Sequence, residues 1–321
     1  MIRQDNGFDR RSIPAEAVES VWHASDGHAI RRIDWPCSPG VSDQARGSIL
    51  FMPGRGDAYE KYLETLDHWA GQGWQVSAAD WRGQAGSGRL GADAVTGHAE
   101  DFTHWVNDLA ELWDEWVQQT PGPHVLAGHS MGGHLTLRAV ADGVVKPDAL
   151  ILSAPMLGVF PQFIPSVVMH GAAWVMTLLG DSRRPAWKWS EKPGELPSGR
   201  EALLTHDIDR YNDEAWWRAQ RPELVMGPGS WGWVRSALRS IRRLEGKGVL
   251  EAIQIPVFIL ATREDKLVSY AAIRRAIKRL PNVVPLIFGA EAAHEILRES
   301  DPVRNRALEA IDDFLDLLPA S

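Results

Sequence analysis

The sequence has few of the features that mark secreted or membrane-spanning proteins. Its 321 residues include one cysteine, Cys37, so no disulfide can form within the chain. Residues 1–19 are polar and charged and contain no apolar run of the signal-peptide type. The most apolar stretch, residues 159–180, is interrupted by prolines, a histidine and glycines, which argues against a membrane-spanning helix. We therefore expect a cytoplasmic protein, since a lone cysteine is typical of a reducing compartment.

The sequence also lacks an excess of basic residues. It has 34 lysines and arginines against 42 aspartates and glutamates, which gives a net charge of −8. Because a phosphate backbone is bound by a basic face, we expect no nucleic acid among the partners. The composition, 44% hydrophobic and 24% charged, is typical of a globular protein, and the length allows one large domain or two smaller ones.

Short strand-like runs alternate with helix-like runs along most of the chain. This alternation predicts an α/β fold, with a mostly parallel, doubly wound sheet and helices on both of its faces. An antiparallel pair of strands, residues 20–24 and 30–35, is expected around the turn at Asp26-Gly27. The spacing of apolar side chains predicts helices at residues 58–72, 98–119, 131–141, 270–280 and 302–318.

Residues 156–248 break this alternation. They contain seven prolines and seven tryptophans and show no clear buried strand. We predict that they form a helical cap, or lid, inserted into a core made of residues 1–155 and 249–321. The alternative is a set of ordinary crossover helices, but about 90 residues between two strands is long for a connection in a compact domain.

The pattern Gly128-His129-Ser130-Met131-Gly132 predicts a nucleophile elbow. It lies between a predicted strand that ends at Gly128 and a predicted helix that begins at Met131. Small residues are needed there because the turn is tight and side chains would meet the neighbouring strand and helix. Such a turn exposes the hydroxyl of Ser130 at a helix N-terminus, where free amides and the helix dipole favour negative charge.

A serine nucleophile needs a base to accept its proton and an acid to orient that base. With a nucleophile elbow, the acid and then the histidine follow the serine in the chain. His170 and His206 lie in the predicted cap, whereas His294 follows the last predicted strand and is the predicted base. Asp265 is the predicted acid because it follows the strand at residues 257–261, and Glu264 is the alternative if the register differs by one residue.

A tetrahedral intermediate needs two hydrogen-bond donors directed at its oxygen. The backbone amide of Met131, the residue after the nucleophile, is the first predicted donor. The second is the backbone amide of Arg55, in the glycine-containing loop at residues 53–57 that follows a predicted strand. A plain flexible turn before a helix would explain the same glycines, but the elbow favours the functional interpretation.

Seven segments carry the pattern of a known family, namely Gly54-Arg55-Gly56, Glu60-Lys61-Tyr62, Asp80-Trp81-Arg82-Gly83-Gln84-Ala85-Gly86-Ser87-Gly88, His129-Ser130-Met131-Gly132-Gly133, Ser153-Ala154-Pro155-Met156-Leu157, Arg263-Glu264-Asp265-Lys266-Leu267-Val268 and Ala293-His294-Glu295-Ile296. On these segments the chain resembles the lysophospholipase and monoacylglycerol-lipase-like branch of the α/β-hydrolases over residues 22–317. The resemblance implies the α/β-hydrolase fold, a triad of Ser130, Asp265 and His294, and oxyanion donors at Arg55 and Met131. The chain departs from the family at Pro53, where the family usually has a histidine that braces this loop.

The resemblance implies a serine carboxylic-ester hydrolase that works through an acyl-enzyme, on lysophospholipids or monoacylglycerols. The partner is then a small acyl-ester substrate, with no cofactor and no metal ion. Apolar stretches in residues 156–248 suit an acyl chain, though they would equally pack the cap onto the sheet, and contact with a membrane surface is expected to be transient and peripheral. The alternatives are a carboxylesterase for small esters or a catalytically silent ligand-binding protein, which would typically have lost a triad member.

Overall fold

A computed structural model describes residues 7–37, 45–158, 166–188 and 199–319. Its centre is a sheet of eight strands, which confirms the predicted α/β fold. The strands are β1 (Val18–His23), β2 (Ala29–Trp35), β3 (Ser48–Met52), β4 (Gln75–Ala79), β5 (His124–His129), β6 (Ala149–Ser153), β7 (Val257–Thr262) and β8 (Val283–Phe288).

The strands lie in the order β1-β2-β4-β3-β5-β6-β7-β8. β1 pairs with β2 and β2 with β4 in antiparallel fashion, and every other pairing in the sheet is parallel. β3, β6 and β7 are buried along their whole length, as strands covered by helices on both faces must be. The opening antiparallel pair predicted around Asp26-Gly27 is confirmed.

The helices described by the structure cover both faces of the sheet and one of its ends. They are α1 (Leu63–Gly71), α2 (Phe102–Gln119), α3 (Met131–Ala141), α4 (Ser166–Leu178), α5 (Glu201–Leu204), α6 (Ile208–Gln220), α7 (Trp231–Leu244), α8 (Tyr270–Ile277) and α9 (Asp301–Leu315).

Two predicted helices begin later in the structure than the sequence suggested. α1 is preceded by a 3₁₀ turn, Tyr59–Tyr62, within the predicted helix of residues 58–72. α2 begins at Phe102 and not at residue 98, because the Asp101 side chain accepts a hydrogen bond from the amide of Thr103 and caps the helix. His98 lies before this cap and bonds the Ser230 hydroxyl through Nδ1 at 2.7 Å.

The predicted cap, residues 156–248, joins β6 to β7. Its described part contains α4 to α7 and a short 3₁₀ turn, Pro222–Leu224, and among the described residues none of it joins the sheet. Residues 159–165 and 189–198, with their prolines and Trp189, lie outside the described residues. Within the part of the chain that is described, no helix has both the length and the apolar character that crossing a membrane would require.

The topology brings the predicted site residues to one edge of the sheet. β4 lies on one side of β3 and β5 on the other, so the strand order reverses at β3, where a crevice forms beyond the carboxyl ends of the strands. The loops that carry Arg55, Ser130, Asp265 and His294 follow β3, β5, β7 and β8 at this edge.

Candidate active site

Ser130 occupies a tight turn between β5, which ends at His129, and α3, which begins at Met131. Its φ of 53° lies in the left-handed region, which residues other than glycine rarely adopt. Two backbone hydrogen bonds hold the turn. The Ser130 amide donates to Ser153 O, and Ser130 O accepts from the Met156 amide, both at 2.9 Å. Strain of this kind clusters at functional sites, where the surrounding structure maintains it.

The glycines around Ser130 are required by the space available. A Cβ added to Gly132 would lie 2.2 Å from Met52 O, and one added to Gly128 would lie 2.7 Å from the Gly132 carbonyl carbon. Real Cβ atoms do not approach backbone so closely, so the strand, the loop after β3 and α3 can meet only with glycine at these positions. The glycines of the Gly-x-Ser-x-Gly pattern are therefore required because a side chain at either position would clash with the backbone, as the sequence predicted.

His294 lies between Ser130 and Asp265. Its Nε2 is 2.9 Å from Ser130 Oγ, and its Nδ1 is 2.7 Å from Asp265 Oδ2. The side chains of His294 and Asp265 are buried. The alternative acid, Glu264, is exposed, and His206 lies elsewhere and bonds Glu299 through Nδ1 at 2.9 Å.

The second oxygen of Asp265 is also bonded. Its Oδ1 accepts hydrogen bonds from the amides of Leu267 at 2.8 Å and Val268 at 2.9 Å. Burial alone would raise the pKa of Asp265, but its interactions with His294 and these two amides outweigh burial and lower it. Burial likewise opposes protonation of His294, yet the neighbouring Asp265 carboxylate raises the pKa of the imidazole above its ordinary value.

The loop after β3 packs directly against the elbow. A Cβ on Gly54 would lie 3.2 Å from Ser130 Cβ, so the backbone next to Arg55 closely approaches Ser130. The Pro53 carbonyl accepts a hydrogen bond from Trp81 Nε1 at 2.8 Å, and the Gly54 amide donates to Asp57 at 3.2 Å. At Pro53, where the family usually has a histidine, hydrogen bonds between the loop backbone and the side chains of Trp81 and Asp57 hold the loop.

A cluster of buried charges, which the sequence patterns did not predict, lies beside His294. The Lys61 ammonium is 2.9 Å from Asp57 Oδ1, 2.6 Å from Glu295 Oε1 and 3.3 Å from Glu214 Oε2. Attraction to these carboxylates outweighs burial and raises the pKa of Lys61. Only the spacing of four residues between Asp57 and Lys61 signals any of these contacts in the sequence, since Glu214 is far away in the chain.

Three members of this region could offer ligands to a metal ion. Ligand atoms of Asp57, His129 and Glu295 lie within 4.8 Å of one another, and all three residues are buried. The Lys61 ammonium already contacts both carboxylates, so the positive charge that they require is supplied by the chain itself. Burial and the nearby His294 lower the pKa of His129 to about 4, so this imidazole is neutral at neutral pH.

A cavity of about 650 Å³ opens above Ser130 and His294. Residues 156–248 supply much of its apolar wall, and the remaining wall comes from the loops after β3, β7 and β8. The apolar residues that this segment contributes are Met156, Trp187, Leu203, Leu204, Met226 and Trp233. Ser130, His294 and this apolar wall therefore share one concave site, as is common for small-molecule sites. Its lining also includes charged side chains, among them Lys188, Arg200 and Lys266.

Comparison with known proteins places the chain among the hydrolases. The family model described as serine aminopeptidase, S33, matches residues 43–301. Lysophospholipase L2 from Escherichia coli is 31% identical over 285 residues, which cover 84% of this chain and 80% of that protein. The monoglyceride lipase from Saccharomyces cerevisiae is 26% identical over 142 residues, which cover 43% of this chain and 44% of that protein.

Solved structures show the same fold. A soluble variant of the Saccharomyces cerevisiae monoglyceride lipase, in complex with a substrate analogue, superposes with a TM-score of 0.77 at 18% identity and covers 98% of this chain and 99% of its own. The Paleococcus ferrophilus monoacylglycerol lipase gives a TM-score of 0.66 at 22% identity, over 89% of this chain and 98% of its own. The chain belongs to the serine aminopeptidase S33 family, and it is a serine hydrolase with the α/β-hydrolase fold that resembles lysophospholipases and monoglyceride lipases.

Proposed function

We propose that the protein hydrolyses carboxylic esters through an acyl-enzyme, with Ser130 as nucleophile, His294 as base and Asp265 as the acid that orients it. The observation that carries this proposal is the pair of hydrogen bonds that join His294 to Ser130 Oγ at 2.9 Å and to Asp265 Oδ2 at 2.7 Å. A base held at such distances can take the serine proton as the hydroxyl attacks.

Each chemical step has a group to perform it. Ser130 Oγ attacks the ester carbonyl carbon while its proton passes to His294 Nε2, and the carbonyl π electrons move to the oxygen. When the tetrahedral intermediate collapses, the carbon–alkoxide bond breaks and the leaving alcohol takes the proton from His294. Water then attacks the acyl carbon while its proton passes to the same imidazole. As the second tetrahedral intermediate collapses, the bond to Ser130 Oγ breaks and this oxygen takes the proton from His294, which releases the carboxylic acid.

The developing negative charge is stabilised, in this proposal, by the backbone amides of Met131 and Arg55. Met131 is the first residue of α3, whose free amides and dipole favour an anion at that end. Arg55 follows Gly54, whose backbone lies against Ser130. Loss of one such donor typically costs about 10²- to 10³-fold in kcat.

The proposed substrates are lysophospholipids or monoacylglycerols. The names of the relatives from Escherichia coli and Saccharomyces cerevisiae support this class of single-chain lipid ester. The cavity supports it too, because its wall carries Trp187, Met226 and Trp233 close to Ser130. In this proposal residues 156–248 form the cap of the site, and residues 1–155 and 249–321 form the core.

We further propose that the protein contacts lipid surfaces peripherally through α4. Four apolar side chains on or just after this helix are more than half exposed, namely Val168, Trp174, Leu178 and Leu179. Helical spacing places them on one side of α4, and an exposed apolar patch of this kind is typical of a surface that meets a partner or a membrane.

Labelling with a fluorophosphonate tests the nucleophile. We expect the wild-type protein to be labelled at Ser130, and Ser130→Ala to lose both labelling and hydrolysis of a long-chain ester, with kcat down by at least about 10⁴-fold. Ser25→Ala, which removes an exposed hydroxyl bonded to Glu111, is the control and should behave as wild type. Labelling that persists in Ser130→Ala would overturn the assignment.

A panel of esters tests the substrate class in the same preparations. We expect nitrophenyl esters of long acyl chains to exceed the acetate in kcat/KM, and lysophosphatidylcholine or monoacylglycerol to be hydrolysed by wild type and not by Ser130→Ala. A preference for the acetate would instead identify a carboxylesterase for small esters.

A further inference from the structure

The side chain of Arg55 is partly buried and contacts residues 156–248. Its Nη2 donates a hydrogen bond to the Gly227 carbonyl at 2.7 Å. Its guanidinium carbon lies 5.1 Å from the ring centroid of Trp187 and 5.2 Å from that of Trp233. A guanidinium within about 6 Å of an indole face is attracted to it, so both tryptophans hold this arginine.

Trp233 also contacts Met131, the other residue whose backbone amide is proposed to bind the oxyanion. Its Nε1 donates to Met131 Sδ at 3.4 Å, in a buried contact. Gln84 joins the two sides from the core, since its Oε1 accepts from the Gly56 amide at 2.8 Å and its Nε2 lies 3.9 Å from the same sulfur. Trp233 is therefore in contact with the side chains of both Arg55 and Met131.

Trp233 itself occupies a fixed position at the start of α7. The Ser230 hydroxyl accepts a hydrogen bond from the Trp233 amide at 3.0 Å and caps the helix. The backbone before it pairs with the chain before α2, through bonds from the Gly227 amide to Val95 O and from the Ser230 amide to Gly97 O, both at 2.8 Å. The indole is thus held from a rigid helix end, as a support for a functional backbone must be.

We propose that Trp233 is a positioning residue, which fixes the backbone amides of Arg55 and Met131 through its contacts with both side chains. We call these three residues the Arg55–Trp233–Met131 brace. The inference rests on the proposed function, because it assigns these amides to the oxyanion. Its consequence is that the segment of residues 156–248 helps to build the catalytic geometry and does not merely cover it.

The test is a steady-state comparison of three variants on a long-chain nitrophenyl ester. Trp233→Leu removes the ring and its donor, and Arg55→Met removes the guanidinium. Trp22→Leu is the matched control, since Trp22 is also 8% exposed and also loses one Nε1 hydrogen bond, to Glu115 at 2.9 Å. We expect kcat to fall about 10- to 100-fold in the first two, because displaced donors cost less than the 10²- to 10³-fold of absent ones. Since Arg55 and Trp233 also line the cavity, a rise in KM that is smaller than the fall in kcat should accompany it.

Two further measurements separate positioning from general damage. The affinity for an acyl trifluoromethyl ketone, which forms a tetrahedral adduct with the serine, should fall in step with kcat. The double variant should lose little more than the worse single variant, because both substitutions disturb the same amides. The control should keep wild-type kcat and inhibitor affinity at a temperature where all variants are folded by circular dichroism.

The outcomes are distinguishable from a failure of the proposed function. Wild type that is neither labelled at Ser130 nor active would overturn the function and this inference together. Active wild type with Trp233→Leu and Arg55→Met unchanged in kcat, or altered in KM alone, would overturn only the inference. A loss of kcat equal to that of Trp22→Leu would also overturn it, since the effect would then reflect stability.

Discussion

At the scale of single residues, the proposed mechanism makes the reactivity of Ser130 depend on the protonation of His294. A base must be neutral to accept the serine proton, so the rate falls as the pH drops through the pKa of the imidazole. Burial disfavours the charged imidazole, but the Asp265 carboxylate at 2.7 Å outweighs burial and raises that pKa above its ordinary value of 6.5. The acid limb of the proposed activity should therefore lie above pH 6.5.

Asp265→Asn tests this arrangement through the pH profile. Removing the negative charge removes the main effect that raises the pKa of His294, so the acid limb should move to lower pH. The plateau rate should fall by about 10⁴-fold, because the amide no longer holds the imidazole in the required tautomer.

The measurement for Asp265→Asn is kcat/KM between about pH 5 and about pH 9. Glu264→Gln removes a charge at the exposed neighbouring position and is the control, with neither the limb nor the plateau expected to change. An acid limb that keeps its position in Asp265→Asn would show that the carboxylate does not set the pKa of the base.

At the scale of elements, the site depends on how closely β5, α3 and the loop after β3 approach one another. Gly132 is the contact point, since its α-carbon faces the carbonyls of Met52 and Pro53. The loop that carries His294 is tied to α5 in a similar way, through bonds from the His294 amide to Leu203 O at 3.3 Å and from the Glu295 amide to Leu204 O at 2.7 Å. Backbone contacts between elements thus set the positions of Ser130 and His294.

Gly132→Ala should damage this junction. Its Cβ would lie 2.2 Å from Met52 O and 2.4 Å from Pro53 O, so the loop after β3 would have to move. We expect a loss of about 1–3 kcal/mol in the free energy of urea unfolding, as for overpacked cores, together with slower fluorophosphonate labelling of Ser130.

Gly171→Ala is the control for Gly132→Ala. Gly171 lies within α4, and an added Cβ there meets nothing within 4 Å. Because alanine favours a helix interior over glycine, this variant should be about 0.5–1 kcal/mol more stable than wild type, with unchanged labelling. Equal stability of the two variants would contradict the steric argument.

At the scale of the whole molecule, charge and apolar surface are unevenly distributed. The chain carries a net charge of −8, whereas α4 and the residues after it expose a run of large apolar side chains. Met176 of α4 and Trp187 line one cavity of about 710 Å³, and Trp187 also lines the cavity at Ser130. The apolar face of α4 therefore lies near the part of the protein where a lipid is proposed to bind.

Sedimentation with phosphatidylcholine vesicles tests the proposed surface contact. We expect wild type to sediment with zwitterionic vesicles, and the double variant Trp174→Ser, Leu178→Ser to do so several-fold less, because it loses two side chains that are 53% and 60% exposed. Hydrolysis of a soluble short-chain ester should not change.

The control for the vesicle experiment is Leu317→Ser, which removes a side chain that is 80% exposed beyond the end of α9. This variant should sediment as wild type does, because the loss of an exposed apolar side chain outside α4 should not weaken vesicle binding. Equal sedimentation of wild type and the double variant would show that α4 does not form the proposed lipid contact.

The sequence by itself determined the sheet, the steric pattern of the elbow at Ser130 and the family to which the chain belongs. These features depend on spacing within short segments, since strand–helix alternation and the glycines of a tight turn are local properties of the chain. The start of α2 was predicted wrongly for the same reason. The helical pattern continues upstream to residue 98, but the side chain of Asp101 caps the helix and it begins at Phe102.

Only the tertiary structure decided which distant residues meet. The ion pairs that Lys61 forms with Glu214 and Glu295, and the contacts that Arg55 and Met131 form with Trp233, join positions far apart in the chain. A buried charge or an indole has no periodic pattern that names its partner, because partners are selected by packing and by the cost of burying an unpaired group. The elbow at Ser130 is thus specified by a short local pattern. The contacts that hold the residues around it depend on how residues 156–248 pack against the site.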